Sequence, residues 1–133
     1  MPARTDGLLD PRPLAELLRL GSLVTPVFED AAVRAAVVAT DLASGEAVVI
    51  DRGDTTSALL ASSAFPGVFP PVEFGGTRLI DVGVAADIPV LQAEALGADE
   101  CYVSRNRTQV VEPSKYGSFG RLEGSHSGRV RRS

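Results

Sequence analysis

Asp81 closes a short apolar run, Leu79-Ile80, and is followed by Val82-Gly83, so a carboxylate stands at the end of a stretch with strand character. A carboxylate of this kind can take up a proton and return it, the two halves of general acid–base work. Taken alone, an aspartate after a strand reads more simply as a turn-former or a helix cap. The remaining reactive side chains have weaker settings. Ser62 and Ser63 sit on a helical stretch with no histidine or lysine near them in sequence, and a serine hydroxyl is a poor nucleophile without such a partner. They are expected to bond to backbone or to satisfy a helix end. His126, the single histidine, lies in a polar C-terminal stretch and gives little support to a Ser-His-Asp triad. Gly124-Ser125-His126-Ser127-Gly128 has the glycine flanks of a hydrolase elbow but histidine at its centre, and a working elbow also needs a strand before it and a helix after it. Asp87, two residues before Pro89, is expected to cap the helix that follows. Cys101, the single cysteine, begins an apolar strand and is expected as a buried small hydrophobe. One cysteine excludes an internal disulfide framework and any multi-cysteine metal site.

The elements that must place these groups follow from periodicity. Asp10-Pro11 opens a first helix, since aspartate caps orphan N–H groups and proline is tolerated at the first helical position. Leu14, Leu17, Leu18 and Leu20 fall at helical spacing, and Gly21 stops the run. The continuous apolar segment from Val33 to Thr40 predicts a strand covered on both faces. Asp41 to Glu46 turns the chain into a second strand, Ala47 to Ile50, antiparallel to the first. Asp54 predicts the N-cap of a helix through Ala58, Leu59, Leu60 and Ala61 to about Ala64, ended by Pro66-Gly67. Val72 to Phe74 and Arg78 to Ile80 predict a hairpin around Gly75-Gly76. Pro89 starts a helix that turns Val90, Leu91, Ala95 and Leu96 inward, Gly97 closes it, and Cys101 to Val103 predicts one more buried strand. Helices alternating with short apolar strands point to an α/β layered domain.

Several segments, in order, resemble the patatin-like phospholipase family. They are Gly7-Leu8-Leu9-Asp10, Ala39-Thr40-Asp41-Leu42 with Gly45-Glu46, Arg52-Gly53-Asp54, the block Ala61-Ser62-Ser63-Ala64-Phe65-Pro66-Gly67-Val68-Phe69-Pro70-Pro71-Val72, Asp81-x-Gly83, and Pro89-Val90 leading to Leu96-Gly97-Ala98-Asp99. The resemblance covers about residues 7–103. It implies part of a three-layer α/β/α domain with a mixed sheet, and a lineage of lipid acyl hydrolases. Such enzymes hydrolyse carboxylic esters with a serine in Gly-x-Ser-x-Gly and an aspartate in Asp-Gly-Gly/Ala, and Asp81 matches the dyad aspartate. No Gly-x-Ser-x-Gly occurs in the chain, so the expectation is the C-terminal portion of the domain, inactive alone. Val82 stands where the family motif has glycine; were that residue held at positive φ, a β-branched side chain there would cost about 1–2 kcal/mol. The proline-rich loop Pro66 to Pro71 borders the active site in relatives and also serves as a stiff connector. Phe65 and Phe69 are open to two readings, an acyl-chain groove or buried packing, with packing favoured.

Composition sets the remaining bounds. An apolar share of 44% and a charged share of 23% are those of a chain that packs a core. The net charge of −4 conceals an asymmetry: residues 1–103 carry six Arg against fifteen Asp or Glu, a balance of −9, while residues 104–133 carry six Arg and one Lys against two Glu, a balance of +5. The segment 104–133, rich in Ser, Gly and Arg, is expected to be a flexible, disordered tail. Arg129, Arg131 and Arg132 are expected to stay solvated, and a body at −9 argues against nucleic acid as a partner. No metal or organic cofactor is expected. No apolar run reaches the length of a membrane span, and Met1 to Asp10 lacks the apolar core of a secretory signal; a cytoplasmic or membrane-peripheral setting is the expectation. Expected partners are a lipid or ester substrate and a chain supplying the missing N-terminal half. The alternative to a partial hydrolase is a non-catalytic interaction module that pairs with another chain completing the sheet.

Overall fold

A computed structural model of the chain describes residues 7–21, 25–85, 88–104 and 127–131, the last five as backbone. They divide into two compact units, Met1–Asp87 and Ile88–Ser133.

The first unit is built on a four-stranded sheet in the order β2-β1-β4-β3, with β1 at Val37–Asp41, β2 at Ala47–Ile50, β3 at Val72–Phe74 and β4 at Thr77–Ile80. The β1–β2 hairpin aligns Val37 with Ile50 and Thr40 with Ala47. Asp41 closes its turn by accepting from the backbone N–H groups of Ala43 and Ser44 at 2.8 and 3.4 Å. The second hairpin turns at Gly75-Gly76 as the sequence indicates, both glycines lying at positive φ, +57° and +80°. Every strand pairing in this sheet is antiparallel, where the resemblance implies a mixed sheet; the parallel contact that is present is the isolated bridge of Gly7 with Gly67.

Helix α2, Thr55–Ser62, lies against β1. Asp54 caps it as expected, its Oδ2 accepting from the Ser57 N–H at 2.7 Å and from the Ser57 hydroxyl. Ala58 and Ala61 are completely buried, because small side chains let a helix approach a sheet closely. Phe28, Ala39, Ile50 and Leu79 complete this core, with Val37, Val48, Val72 and Phe74 packed around it. Helix α1, Arg12–Leu20, packs on α2 with Leu14 and Leu18 half-buried. Leu17 and Leu20, at the same helical spacing, are instead 67% and 75% exposed. Strand β1 begins four residues later than the apolar run does. Residues 33–36 are exposed, and only from Val37 do β2 and α2 supply cover.

The second unit contains α3, Val90–Ala95, and a two-stranded antiparallel sheet of β5, Glu100–Ser104, with β6, Ser127–Arg131. Five residues of the basic C-terminal segment are therefore strand-paired, Cys101 standing opposite Val130. Val90 and Val103 are its buried centre, with Ile88, Ala98 and Cys101 against them. Leu91 and Ala95, expected inward, are exposed, and Tyr102 is 77% exposed. In β5 only Val103 is buried, so this strand is partly covered where the sequence predicts a buried one.

The Asp54 cap gives α2 a pH dependence. The Ser57 hydroxyl and then the Ser57 N–H hold the Asp54 carboxyl below its ordinary value. A lowered folded-state pKa means the cap's contribution is complete above the unfolded value and is lost as pH falls through the folded one. Asp54→Ala is expected to reduce the unfolding free energy at neutral pH by about 1 kcal/mol. Asp54→Asn, which still caps, is expected to retain most of the stability and to lessen its decline in acid. Urea denaturation at neutral and acidic pH measures both.

Candidate functional site

Strand β4 ends on two buried side chains, Leu79 and Ile80, and this apolar anchor fixes where Asp81 emerges. Ile80 stands opposite Thr40 of β1. Beyond it the chain leaves the ladder: the Asp81 N–H donates to the Ala64 carbonyl at 3.0 Å, just past the end of α2. A short 3₁₀ turn, Val82–Val84, follows. The half-buried Asp81 side chain caps it, Oδ1 accepting from the Gly83 N–H at 2.7 Å. Asp81 is thus the helix cap that its local sequence suggests, while also standing directly after the C-terminal end of β4.

Two further contacts complete the turn. The hydroxyl of Thr40, wholly buried in β1, donates to the Asp81 carbonyl at 2.8 Å and accepts from the Ala85 N–H at 3.2 Å. In the sequence Thr40 figures as the end of an apolar run and as a member of the segment Ala39-Thr40-Asp41-Leu42, with no role for its hydroxyl. The available signal was the hydroxyl itself, since a polar group inside a strand covered on both faces must find partners. Val82 is half-buried, and no residue other than glycine has a positive φ among the described residues. The conditional strain at Val82 therefore does not arise.

The loop after α2 borders this turn through Ala64. Val68 and Phe69 donate their N–H groups to the Phe65 carbonyl at 3.0 and 3.1 Å, which folds the loop back on itself. The N-terminal segment lies along it: Leu8 N–H donates to Gly67 O at 3.2 Å and Leu9 N–H to Val68 O at 2.8 Å. This approach demands glycine at position 7, where a Cβ would stand 2.6 Å from backbone atoms of Phe69 and Pro70. Phe65, for which buried packing was favoured, is 60% exposed, because the turn at Pro66-Gly67 carries it away from the core; Phe69 is half-buried. Val84, in the same turn as Asp81, is 56% exposed.

The other reactive side chains are engaged or lie elsewhere. Ser62 donates its hydroxyl to the Val38 carbonyl at 2.7 Å, tying α2 to β1. Ser63 terminates α2, its N–H donating to Leu59 and Leu60 carbonyls at 3.1 and 3.2 Å. Cys101 belongs to the second unit; burial, followed by the nearby Glu94 charge, pushes its thiol above the ordinary value and disfavours the reactive thiolate. Asp87, His126 and the segment Gly124-Ser125-His126 lie outside the described residues. No helix among the described residues is long and apolar enough to cross a membrane.

Comparison with known families gives a patatin-like phospholipase model matching residues 2–94, an interval that contains the sheet, α2 and Asp81. The chain belongs to the patatin-like phospholipase family. An uncharacterized NTE family protein of Mycobacterium tuberculosis is 34% identical over 94 residues, covering 70% of this chain and 26% of the relative. A second NTE family protein of the same organism, also uncharacterized, is 37% identical over 87 residues, covering 64% of this chain and 14% of the relative. Mycobacterium bovis has counterparts with the same identities. This patatin-like chain spans about a quarter or less of the length of the curated relatives it matches.

Gly83 is the sensitive position of the turn. An alanine Cβ there would lie 2.8 Å from Asp81 Oδ1. Its neighbour is the tip of a side chain, so the carboxylate can swing aside and the fold can remain. Gly83→Ala is therefore expected to leave the melting temperature nearly unchanged while breaking the Asp81–Gly83 bond. Loss of the low-field amide proton shift at position 83 would report it; an unchanged shift would contradict the packing.

Proposed function

We propose that this patatin-like chain supplies the aspartate half of a serine–aspartate dyad for carboxylic ester hydrolysis in lipids, of the phospholipase A or esterase type. The observation that carries the reading is Asp81 at the C-terminal end of β4, its Oδ1 held by the Gly83 N–H. In that role the carboxylate takes the proton from the attacking serine and returns it to the leaving alcohol oxygen. A serine needs such a base because its hydroxyl is a weak nucleophile at neutral pH. The family membership supports the reaction class. The nucleophile would come from residues beyond this sequence, which contains no Gly-x-Ser-x-Gly.

Asp81 cannot open the covalent route by itself, so the chain alone is expected to be inert, with residual rate at most from the rest of the site. Purified chain is to be incubated with a fluorophosphonate probe and an activated short-chain ester. The expected result is no labelled serine and no turnover above background. Stoichiometric labelling of one serine, with hydrolysis abolished by its substitution, overturns the proposal of an incomplete catalyst.

One observation favours the second reading, an interaction module completed by another chain. Strand β4 pairs with β1 only at Thr40 and Asp41, so Val37 to Ala39 have no strand neighbour on that side among the described residues. The Val38 carbonyl is taken by Ser62 instead. Large apolar side chains are also exposed, Leu8 at 88%, Val33 at 79% and Leu20 at 75%, and such surface favours association. Sedimentation velocity at micromolar concentration is expected to show self-association under this reading; a well-folded dilute monomer counts against it.

A further inference from the structure

Thr40 occupies a place where valine would fill the same space. It lies in the run Val37-Val38-Ala39, fully enclosed, and a hydroxyl buried without partners is costly. Its oxygen instead spans the two ends of the Asp81 turn, donating at 2.8 Å to the carbonyl of Asp81 and accepting at 3.2 Å from the N–H of Ala85. The turn has bonds of its own, from Val84 N–H to Asp81 O at 3.4 Å and from Ala85 N–H to Val82 O at 3.0 Å. Those bonds shape the turn without attaching it to the sheet. Among side-chain bonds, the Thr40 hydroxyl makes the attachment, and from the one strand that pairs with both β2 and β4.

We propose that Thr40 is the positioning residue of the Asp81 carboxylate. With both ends of the turn fixed to β1, the Gly83 N–H is kept 2.7 Å from Oδ1. The carboxylate then has one rotation about its bond to the chain, and Oδ2 is presented in a constant direction. A proton acceptor aimed in advance avoids the loss of rate that follows from small misplacements. The proposal rests on the reading of Asp81 as the dyad acid for its catalytic meaning, and on the geometry alone for the positioning itself.

The test is NMR spectroscopy of the full 133-residue chain, isotope-labelled, as wild type, Thr40→Val and Thr40→Ser. In the wild type the Gly83 amide proton is expected at low field, as the donor to Asp81 Oδ1. In Thr40→Val, with the β1–β2 cross-strand contacts intact, that low-field shift is expected to be lost; in Thr40→Ser, which restores the hydroxyl, it is expected to return. A folded Thr40→Val chain whose Gly83 amide stays at low field overturns the proposal. If the valine variant does not fold, the Thr40 hydroxyl proton of the wild type decides. A slowly exchanging hydroxyl signal at Thr40 together with a retained Gly83 shift in Thr40→Ser supports the clamp, and a Thr40 hydroxyl exchanging as fast as in an open peptide overturns it. Failure of the dyad reading looks different. Asp81→Asn with undiminished ester hydrolysis, in a preparation that contains the nucleophile, removes the catalytic meaning and leaves the dependence of Gly83 on Thr40 untouched.

Discussion

The seating of α2 on β1 is the contact on which the first unit depends. Two alanines with no exposed surface, Ala58 and Ala61, bring the helix down onto Ala39, itself wholly buried. Close approach puts the end of the helix within hydrogen-bonding reach of the sheet, and Ser62 bonds the Val38 carbonyl. The next residues then hold the far side of the site, since the Ala64 carbonyl receives the Asp81 N–H. A larger side chain at either alanine would force the helix away, and overpacking of this sort typically costs about 1–3 kcal/mol. The position of the carboxylate is thus set by methyl-sized groups two elements away.

Local chemistry made much of this architecture legible. The Asp54 cap, the Gly75-Gly76 turn and the β1–β2 pairing each depend on a few adjacent residues, and each appears where the sequence places it. The errors share a different cause. Val33, Leu17, Leu91 and Tyr102 are apolar residues in apolar company, yet all are exposed. Periodicity identifies a face that would gain from cover; it does not say whether another element arrives to provide it. The short helices α1 and α3 each cover one neighbour and leave the rest of their apolar arcs to solvent.

The site was readable in its carboxylate and unreadable in its support. Asp81 stood out from its place after an apolar strand and within a recognisable order of segments. Thr40 did not, because its partners, Asp81 and Ala85, lie more than forty positions further along the chain. Long-range hydrogen bonds of this kind leave no spacing to detect, only an out-of-place hydroxyl. The same holds for Gly7, whose need for a bare α-carbon is visible only once the Phe69-Pro70 backbone is laid against it. Val82 is the opposite case, where a departure from the family's glycine causes no backbone strain.

The small size of the buried side chains has a calorimetric consequence. Among the described residues Leu79 and Thr40 are the largest side chains with essentially no exposed surface, Ala39, Ala58 and Ala61 lie beside them, and Phe28, Ile50 and Ile80 are the larger buried ones. Unfolding an interior with few large side chains uncovers a modest amount of hydrocarbon, and the heat-capacity increment grows with the hydrocarbon uncovered. The stability curve of this unit should accordingly be shallow, changing little between cold and warm.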